Sequence, residues 1–486
     1  MRQVTRFSLA VSIIFLTSLV VTDAALAQVN DPLRFTPAQK SVEKTLTFPN
    51  GKTVNYRAYE QLFYVANVVD PAYQYLNVYV PESANSQSPI LLRNYVGGYF
   101  ASKAQAPSAI DASGRALLEG YVVVIPGARG WNAKVTGSTG NTTFTGKAPA
   151  GIVDLKAAVR YLRYNDKVMP GDAERIITDG TSAGGAMSSL LGATGNHPAY
   201  EPYLQALGAA KTRDDVFATV AYCPIIDLEH ADMAYEWLYS GINSGSRSPT
   251  ASAQLVVSTE LAAQFPAYQN SLGLKKPDGT YLTADTYRNY LKSWLMKSAQ
   301  RARDAGADIP ASTGVTFNTG FRGSPGEFVT DLDLDKYLSY LVTKTPLKAP
   351  PAFDKMGVLS PDATPENQVF GDATGKPANY TVYSLQKATQ NPSASLDKAL
   401  TDRVYLLNPM NFIGDKKATT AKHWFIRHGA ADRDTGFQIP INLATKLANQ
   451  GYNVDFALPW NRPHSGDYDL NDLFGWMNVV VKSARK

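Results

Sequence analysis

Ile176-Ile177-Thr178-Asp179-Gly180-Thr181-Ser182-Ala183-Gly184-Gly185 reads as strand, sharp turn and helix start within a few residues. A β-branched run leads in, and small residues suited to a close-packed helix lead out. Between them stands G-x-S-x-G, from Gly180 to Gly184. A serine presented at the top of a sheet needs a tight strand-to-helix turn with strained backbone, and small flanking residues let that turn close. The helix that follows offers N–H groups and a positive dipole end to a developing oxyanion. The pentapeptide alone is a weak pattern, and its flanks give it weight. Ser188 and Ser189 lie a turn further on and read as packing or capping residues.

The neighbouring sequence keeps the same rhythm. Ile90-Leu91-Leu92 is a short apolar run that leads to Gly97-Gly98. Tyr121-Val122-Val123-Val124-Ile125 is closed by Pro126-Gly127. From Asp154 to Tyr164 the period is helical, with Leu155, Val159 and Leu162 on one face. Val216 to Tyr222 is another apolar run. Continuous apolar strands alternating with amphipathic helices predict a mostly parallel sheet covered on both faces. Ahead of it, Asp31 to Glu82 alternates short β-like runs with turns such as Pro49-Asn50-Gly51, an antiparallel lead-in. After Asp227 the alternation stops. Residues 228–403 mix helical and irregular segments, including Pro346 to Pro351. The rhythm resumes with strand Trp424-Phe425-Ile426, helix Pro440–Asn449, strand Val454–Leu458 and a closing helix Leu470–Ser483. The organisation expected is one α/β domain in two pieces, 28–227 and 404–486, interrupted by a lid or insertion domain at 228–403.

Composition narrows the function. The 486 residues are 44% hydrophobic and 18% charged, enough for a large buried core and unlike a disordered chain. One cysteine, Cys223, excludes an intrachain disulfide and a Cys-rich zinc or iron–sulfur site. Arg2 and Arg6 precede the apolar run Phe7–Val21 and then Ala25-Leu26-Ala27, the pattern of a secretory signal over residues 1–27. The run is short for a membrane span of about 20 residues. The mature chain is therefore expected to be secreted or periplasmic, off the membrane, and to begin near Gln28. The net charge of +5 is too mild and too scattered to argue for nucleic acid. Asp331-Leu332-Asp333-Leu334-Asp335 alternates acids as a calcium loop does, but Lys336 and Val342 stand where an EF-hand needs Gly and Glu. It reads as a solvated helix start, and no metal or other cofactor is expected.

A serine nucleophile needs a base and an acid that orients the base, in the chain order Ser, Asp or Glu, His. Five histidines make elimination practical. His197, His230 and His423 precede or sit at the wrong ends of elements, and His428 ends a strand. His464 follows the last strand, in Pro463-His464-Ser465-Gly466-Asp467, and is the expected base. The acid belongs on the loop after the preceding strand, where Asp432-Arg433-Asp434 offers two carboxylates. Spacing does not choose between them, and Asp434 also reads as a helix cap or a partner for Arg433. For the oxyanion, Ala183 N–H is one donor. Gly97 or Gly98, in Tyr95-Val96-Gly97-Gly98-Tyr99, supplies the other, with a plain glycine turn as the competing reading.

Together these residues resemble a family. Lys156-Ala157-Ala158-Val159-Arg160, Gly180-Thr181-Ser182-Ala183-Gly184-Gly185, Arg427-His428-Gly429 with Asp432-Arg433-Asp434-Thr435, and Phe456-Ala457-Leu458-Pro459-Trp460 running into Pro463-His464-Ser465-Gly466-Asp467-Tyr468 look like the bacterial (subtype B) tannases. These are α/β-hydrolase esterases of galloyl esters. The resemblance runs from about Tyr56 to Trp476. It implies Ser182 as nucleophile, Asp432 as triad acid and His464 as base. It also implies that Asp434, Lys348 and Glu366 bind the galloyl ring hydroxyls. The chemistry fits, since carboxylates accept from phenols and an ammonium donates to them. The expected partners are small aromatic esters, gallate esters and hydrolysable tannins among them, with gallic acid released. A feruloyl- or chlorogenate-type esterase is the alternative. Trp131 stands where the family leads one to expect a basic residue. The fungal tannases and feruloyl esterases carry a disulfide beside their triad, which a single cysteine excludes here. A non-catalytic protein of this fold would lack a triad member, and nothing in the insertion offers the acidic pair of an amine-binding peptidase.

Overall fold

The computed structural model describes residues 31–36, 40–248, 252–357 and 363–483. The expected signal segment, 1–27, lies outside the described residues. Nine strands form the central sheet: β1 Val42–Thr47, β2 Thr53–Phe63, β3 Tyr75–Pro81, β4 Pro89–Arg93, β5 Val122–Pro126, β6 Asp172–Thr181, β7 Ala218–Tyr222, β8 His423–Arg427 and β9 Asn453–Ala457. Their order is β1-β2-β3-β5-β4-β6-β7-β8-β9. The first three strands pair antiparallel, and β3 meets β5 antiparallel. All later pairs are parallel. This is the mostly parallel sheet that the strand–helix rhythm predicts, in the α/β-hydrolase architecture that the family resemblance implies.

The parallel strands β4, β5 and β7 are buried along their whole length. Side chains alternate between faces, so each strand feeds two cores. On one face Ile90, Leu92, Val122 and Val124 join Leu155, Val159, Leu190 and Leu191 from helices Ala150–Tyr164 and Ala183–Ala193. On the other, Leu91, Val123 and Ile125 meet Leu117, Phe474 and Met477 from helices Ala112–Leu118 and Leu470–Ser483.

Register then fixes where the chain leaves the sheet. Thr181 pairs with Tyr222, Tyr222 with Arg427, and Arg427 with Ala457. The carboxyl ends of β6, β7, β8 and β9 thus form one row. Ser182, Cys223, His428 and Leu458 each stand one residue beyond it, at the end of a parallel sheet where such folds bind ligands.

Between β7 and β8 come helices including Leu228–Tyr239, Ala284–Asp304 and Leu334–Lys344. A two-stranded ribbon, Val315–Thr319 with Pro325–Leu332, was not legible as strands in the sequence. The segment shares the main core: Tyr287 Oη donates to Gln438 O at 3.2 Å and Tyr337 Oη to Ala430 O at 2.6 Å. Asp333 caps Leu334–Lys344 by accepting from Lys336 N, so the alternating acids do begin a helix. Among the described residues no helix is long and apolar enough to cross a membrane.

Candidate active site

Ser182 has φ +64° and ψ −125°, a strained conformation for a residue with a Cβ. It is held by Ser182 N–H donating to Tyr222 O at 2.9 Å, while Ser182 O accepts from Ala186 N at 3.0 Å. The turn tolerates no side chain at its flanks. A Cβ on Gly180 would lie 2.3 Å from Gly184 O, and one on Gly184 would lie 2.8 Å from Val96 O. Asn94 bolts the turn from the side, donating to Asp179 O, Gly184 O and Ser188 Oγ, each at 3.1 Å. Ser188 is thus a packing residue. Ala183 opens the helix, where first-turn N–H groups have no intrahelical acceptor.

The loop after β4 lies against this turn. Gly97 is exposed, and a Cβ there would meet nothing within 4 Å. Gly98 has φ +53°, which its lack of a side chain permits. Gly97 O accepts from Phe100 N at 2.9 Å. Because the peptide is planar and trans, that contact aims the N–H of Gly98 the opposite way. Trp131 Nε1 donates to Gly98 O at 3.0 Å, and its ring packs on Phe100. Lys147 Nζ lies 5.9 Å from the Trp131 ring centroid. A cation therefore reaches the place where Trp131 replaces the expected basic residue, but from another part of the chain.

His464 and Asp432 sit on adjoining loops. Ala430 N donates to Pro459 O and Ala431 N to Arg462 O, both at 2.9 Å. A Cβ on Gly466 would lie 2.1 Å from Thr181 Oγ1, so the histidine loop presses directly on the residue before Ser182. His464 Nδ1 is 2.8 Å from Asp432 Oδ2, and Asp434 N donates to Asp432 Oδ1 at 2.8 Å. Asp432, the residue spacing could not choose, is the carboxylate at Nδ1. Burial disfavours its charge, but His428 and His464 beside it hold its carboxyl well below the usual range. Burial pulls His464 down, while the Asp432 hydrogen bond and charge prevail and leave its pKa raised.

Asp434 faces the other side of the imidazole, with Oδ2 3.5 Å from His464 Nε2. It also pairs with Arg433. It does not cap the following helix, Gln438–Asn449, whose N-cap is Phe437. Lys348 Nζ donates to Asp434 O at 2.8 Å and lies over the Phe353 ring. Glu366 is buried on the short helix Pro365–Val369. Burial raises its pKa, the Lys348 charge opposes that and the Asp434 charge adds to it. Lys348, Glu366, Asp434 and His464 therefore share one electrostatic neighbourhood, although the sequence spreads them over more than a hundred positions.

Several supporting residues escaped the sequence reading. Arg93 is buried at the end of β4 and pairs with Asp179, three residues before Ser182. It also grips Asp467, three residues after His464, through two bonds of 3.0 and 2.5 Å. Burial pushes Asp179 up to about 7 against the pull of Arg93. Arg427 and Tyr222 hold Asp469 at 2.9 and 2.6 Å. A lone Arg after an apolar run gave no signal of this role. Three of the other histidines are engaged elsewhere: His197 with Asp415, His230 with Asp227, His423 with Asn453, while His428 lies beside Asp432. The arrangement sets an imidazole–carboxylate pair on a loop that presses on the residue before Ser182, and sets an ammonium and two further carboxylates near that imidazole.

Comparison with known proteins agrees with this geometry. A family model described as BD-FAE, an α/β-hydrolase-type family, matches residues 76–264. An esterase, LipQ of Mycobacterium tuberculosis, is 32% identical over 90 residues, which is 18% of this chain and 20% of that protein. The tannase of Fusobacterium nucleatum superposes with a TM-score of 0.82 at 40% identity, over 92% of this chain and 99% of that one. The tannin acyl hydrolase of Lactobacillus plantarum gives 0.83 at 41% identity, over 93% and 100%. A tannin acyl hydrolase solved in complex with ethyl gallate gives 0.82 at 41%, over the same shares. The chain belongs to the bacterial tannase (tannin acyl hydrolase) family and is a carboxylic ester hydrolase.

Proposed function

We propose that the chain is a serine esterase that cleaves galloyl esters and releases gallic acid. Ser182 Oγ attacks the ester carbonyl as His464 Nε2 takes its proton. Asp432 holds the Nδ1–H tautomer and stabilises the imidazolium. The N–H groups of Ala183 and of Gly97 or Gly98 bind the oxyanion. His464 then protonates the departing alcohol, and water, activated by the same imidazole, releases the acid. The 2.8 Å His464–Asp432 contact beside the Ser182 elbow supports this mechanism.

The observation that carries the substrate is the convergence of Lys348, Glu366 and Asp434 next to His464. Two carboxylates and an ammonium match three adjacent phenols, and a site built on such hydroxyls rejects rings that lack them. Related tannin acyl hydrolases have been solved with ethyl gallate and with 3,4-dihydroxybenzoate. In this reading residues 228–403 act as a lid that brings Lys348 and Glu366 to the ring, and residues 1–27 direct export. A fluorophosphonate probe followed by peptide mass spectrometry tests the mechanism. Modification of Ser182 is expected, and modification of another residue with Ser182 untouched overturns it.

A further inference from the structure

Beside Asp432 lie two side chains that the proposed mechanism leaves unused, Cys223 and His428. Cys223 directly follows β7, His428 directly follows β8, and Asp432 stands in the next loop. All three side chains are fully buried. One donor atom from each lies within 4.8 Å of the others. His428 Nδ1 is 3.5 Å from Asp432 Oδ2, and Cys223 Sγ is 3.3 Å from Ser465 O. Neither ring nitrogen of His428 has a hydrogen-bond partner, although both are shut away from solvent. A buried polar group left without a partner calls for an explanation, an ion among them.

A thiolate, an imidazole and a carboxylate are the donor set of a borderline-soft divalent cation such as Zn²⁺ or Cd²⁺. Metal–ligand bonds of about 2.0–2.3 Å set neighbouring donors under about 4 Å apart. The His428–Asp432 pair already meets that spacing. We propose that Cys223 Sγ, His428 Nδ1 and Asp432 Oδ2 form an inhibitory site for such a cation, with water in the fourth position. On binding, the thiol proton leaves to solvent and the thiolate lone pair goes to the metal. Asp432 Oδ2 turns its lone pair from His464 Nδ1–H to the metal. His464 loses its orienting partner and ester hydrolysis stops. The loss of activity rests on the role given above to Asp432, whereas the coordination does not.

The test titrates Zn²⁺ and Cd²⁺ against the full-length enzyme, Cys223→Ser, Cys223→Ala and Asp434→Asn. Inhibition is normalised to each variant's own metal-free rate, and the ultraviolet thiolate-to-Cd²⁺ charge-transfer band is read in parallel. Both cysteine variants are expected to need at least about 10-fold more metal for half-inhibition and to lack the band. Asp434→Asn is expected to keep both. The rival group is Asp432 with the half-buried Asp434 and His464, whose donors also lie within 4.8 Å of one another. Inhibition that survives in the cysteine variants and disappears in Asp434→Asn assigns the metal to that group and overturns the proposal. A Cys223-dependent band without inhibition keeps the metal site and contradicts the role of Asp432 in the mechanism.

Discussion

The site has two walls built on different physics. One consists of Ser182, Asp432 and His464, each on a loop that leaves the same row of parallel strand ends. Backbone dictates this wall: a strained φ, glycines with no room for a Cβ, and loops tied to each other by main-chain bonds. The other wall carries Lys348 and Glu366 on the segment between β7 and β8, where Lys348 lies outside any helix or strand and Glu366 lies on the five-residue helix Pro365–Val369. This wall is shaped by two buried carboxylates instead. Asp232 accepts from the N–H groups of Ala352, Phe353 and Asp354 at 2.6, 2.9 and 2.8 Å. Asp354 in turn accepts from Asn367, Asn379, Tyr380 and Thr381. Burial pushes Asp232 up to about 7 and Asp354 up to about 6. In the proposed mechanism the first wall carries the reaction and the second selects the substrate.

Substitutions separate the walls. Ser182→Ala is expected to lower kcat by about 10⁶-fold while leaving the binding of gallate, measured by calorimetry, within a few-fold. Loss of gallate binding along with turnover merges the two walls. Asp432→Asn is expected to cost about 10⁴-fold in kcat. Its pH profile gives a second readout. Asp432 raises the His464 pKa, and the base works only when neutral, so removing the charge lowers that pKa. The acidic limb of kcat/KM moves to lower pH as the plateau falls. An unmoved limb assigns that limb to another group.

Lys348→Met and Asp434→Asn act on the second wall. Each removes a charged hydrogen-bond partner and is expected to reduce kcat/KM for methyl gallate about 10- to 100-fold. Rates on methyl benzoate stay within about 3-fold for Lys348→Met. An equal loss on both esters moves Lys348 to the first wall. The smallest effect is expected from Trp131→Phe, which keeps the ring against Phe100 and removes the donor to Gly98 O. About 1 kcal/mol of ordering is lost, so kcat falls about 5-fold on every ester alike, with KM unchanged.

The two walls also differ in how far the sequence reveals them. The strand runs, the elbow and the histidine loop are local patterns, and the elements form where periodicity places them, with ends that move by up to four residues: Pro440–Asn449 becomes Gln438–Asn449, and the helix read from Asp154 starts at Ala150. His464 follows from elimination among five histidines. The choice between Asp432 and Asp434 is not local, because both lie on one loop and only the packed imidazole distinguishes them. The insertion is harder still. Its anchors are hydrogen bonds that Asp232 and Asp354 accept, Asp232 from main-chain N–H groups more than a hundred positions away, and such bonds leave no periodic trace. Arg93, Cys223 and His428 are silent for the same reason. Their roles arise where separate strand ends meet.

The most direct measurement is kcat/KM on the methyl esters of gallate, protocatechuate, ferulate and benzoate under one set of conditions. The account predicts gallate first, and at least about 100-fold above benzoate, because phenol-free rings leave Lys348, Glu366 and Asp434 without partners. Equal rates on gallate and benzoate, or a preference for ferulate, would contradict it.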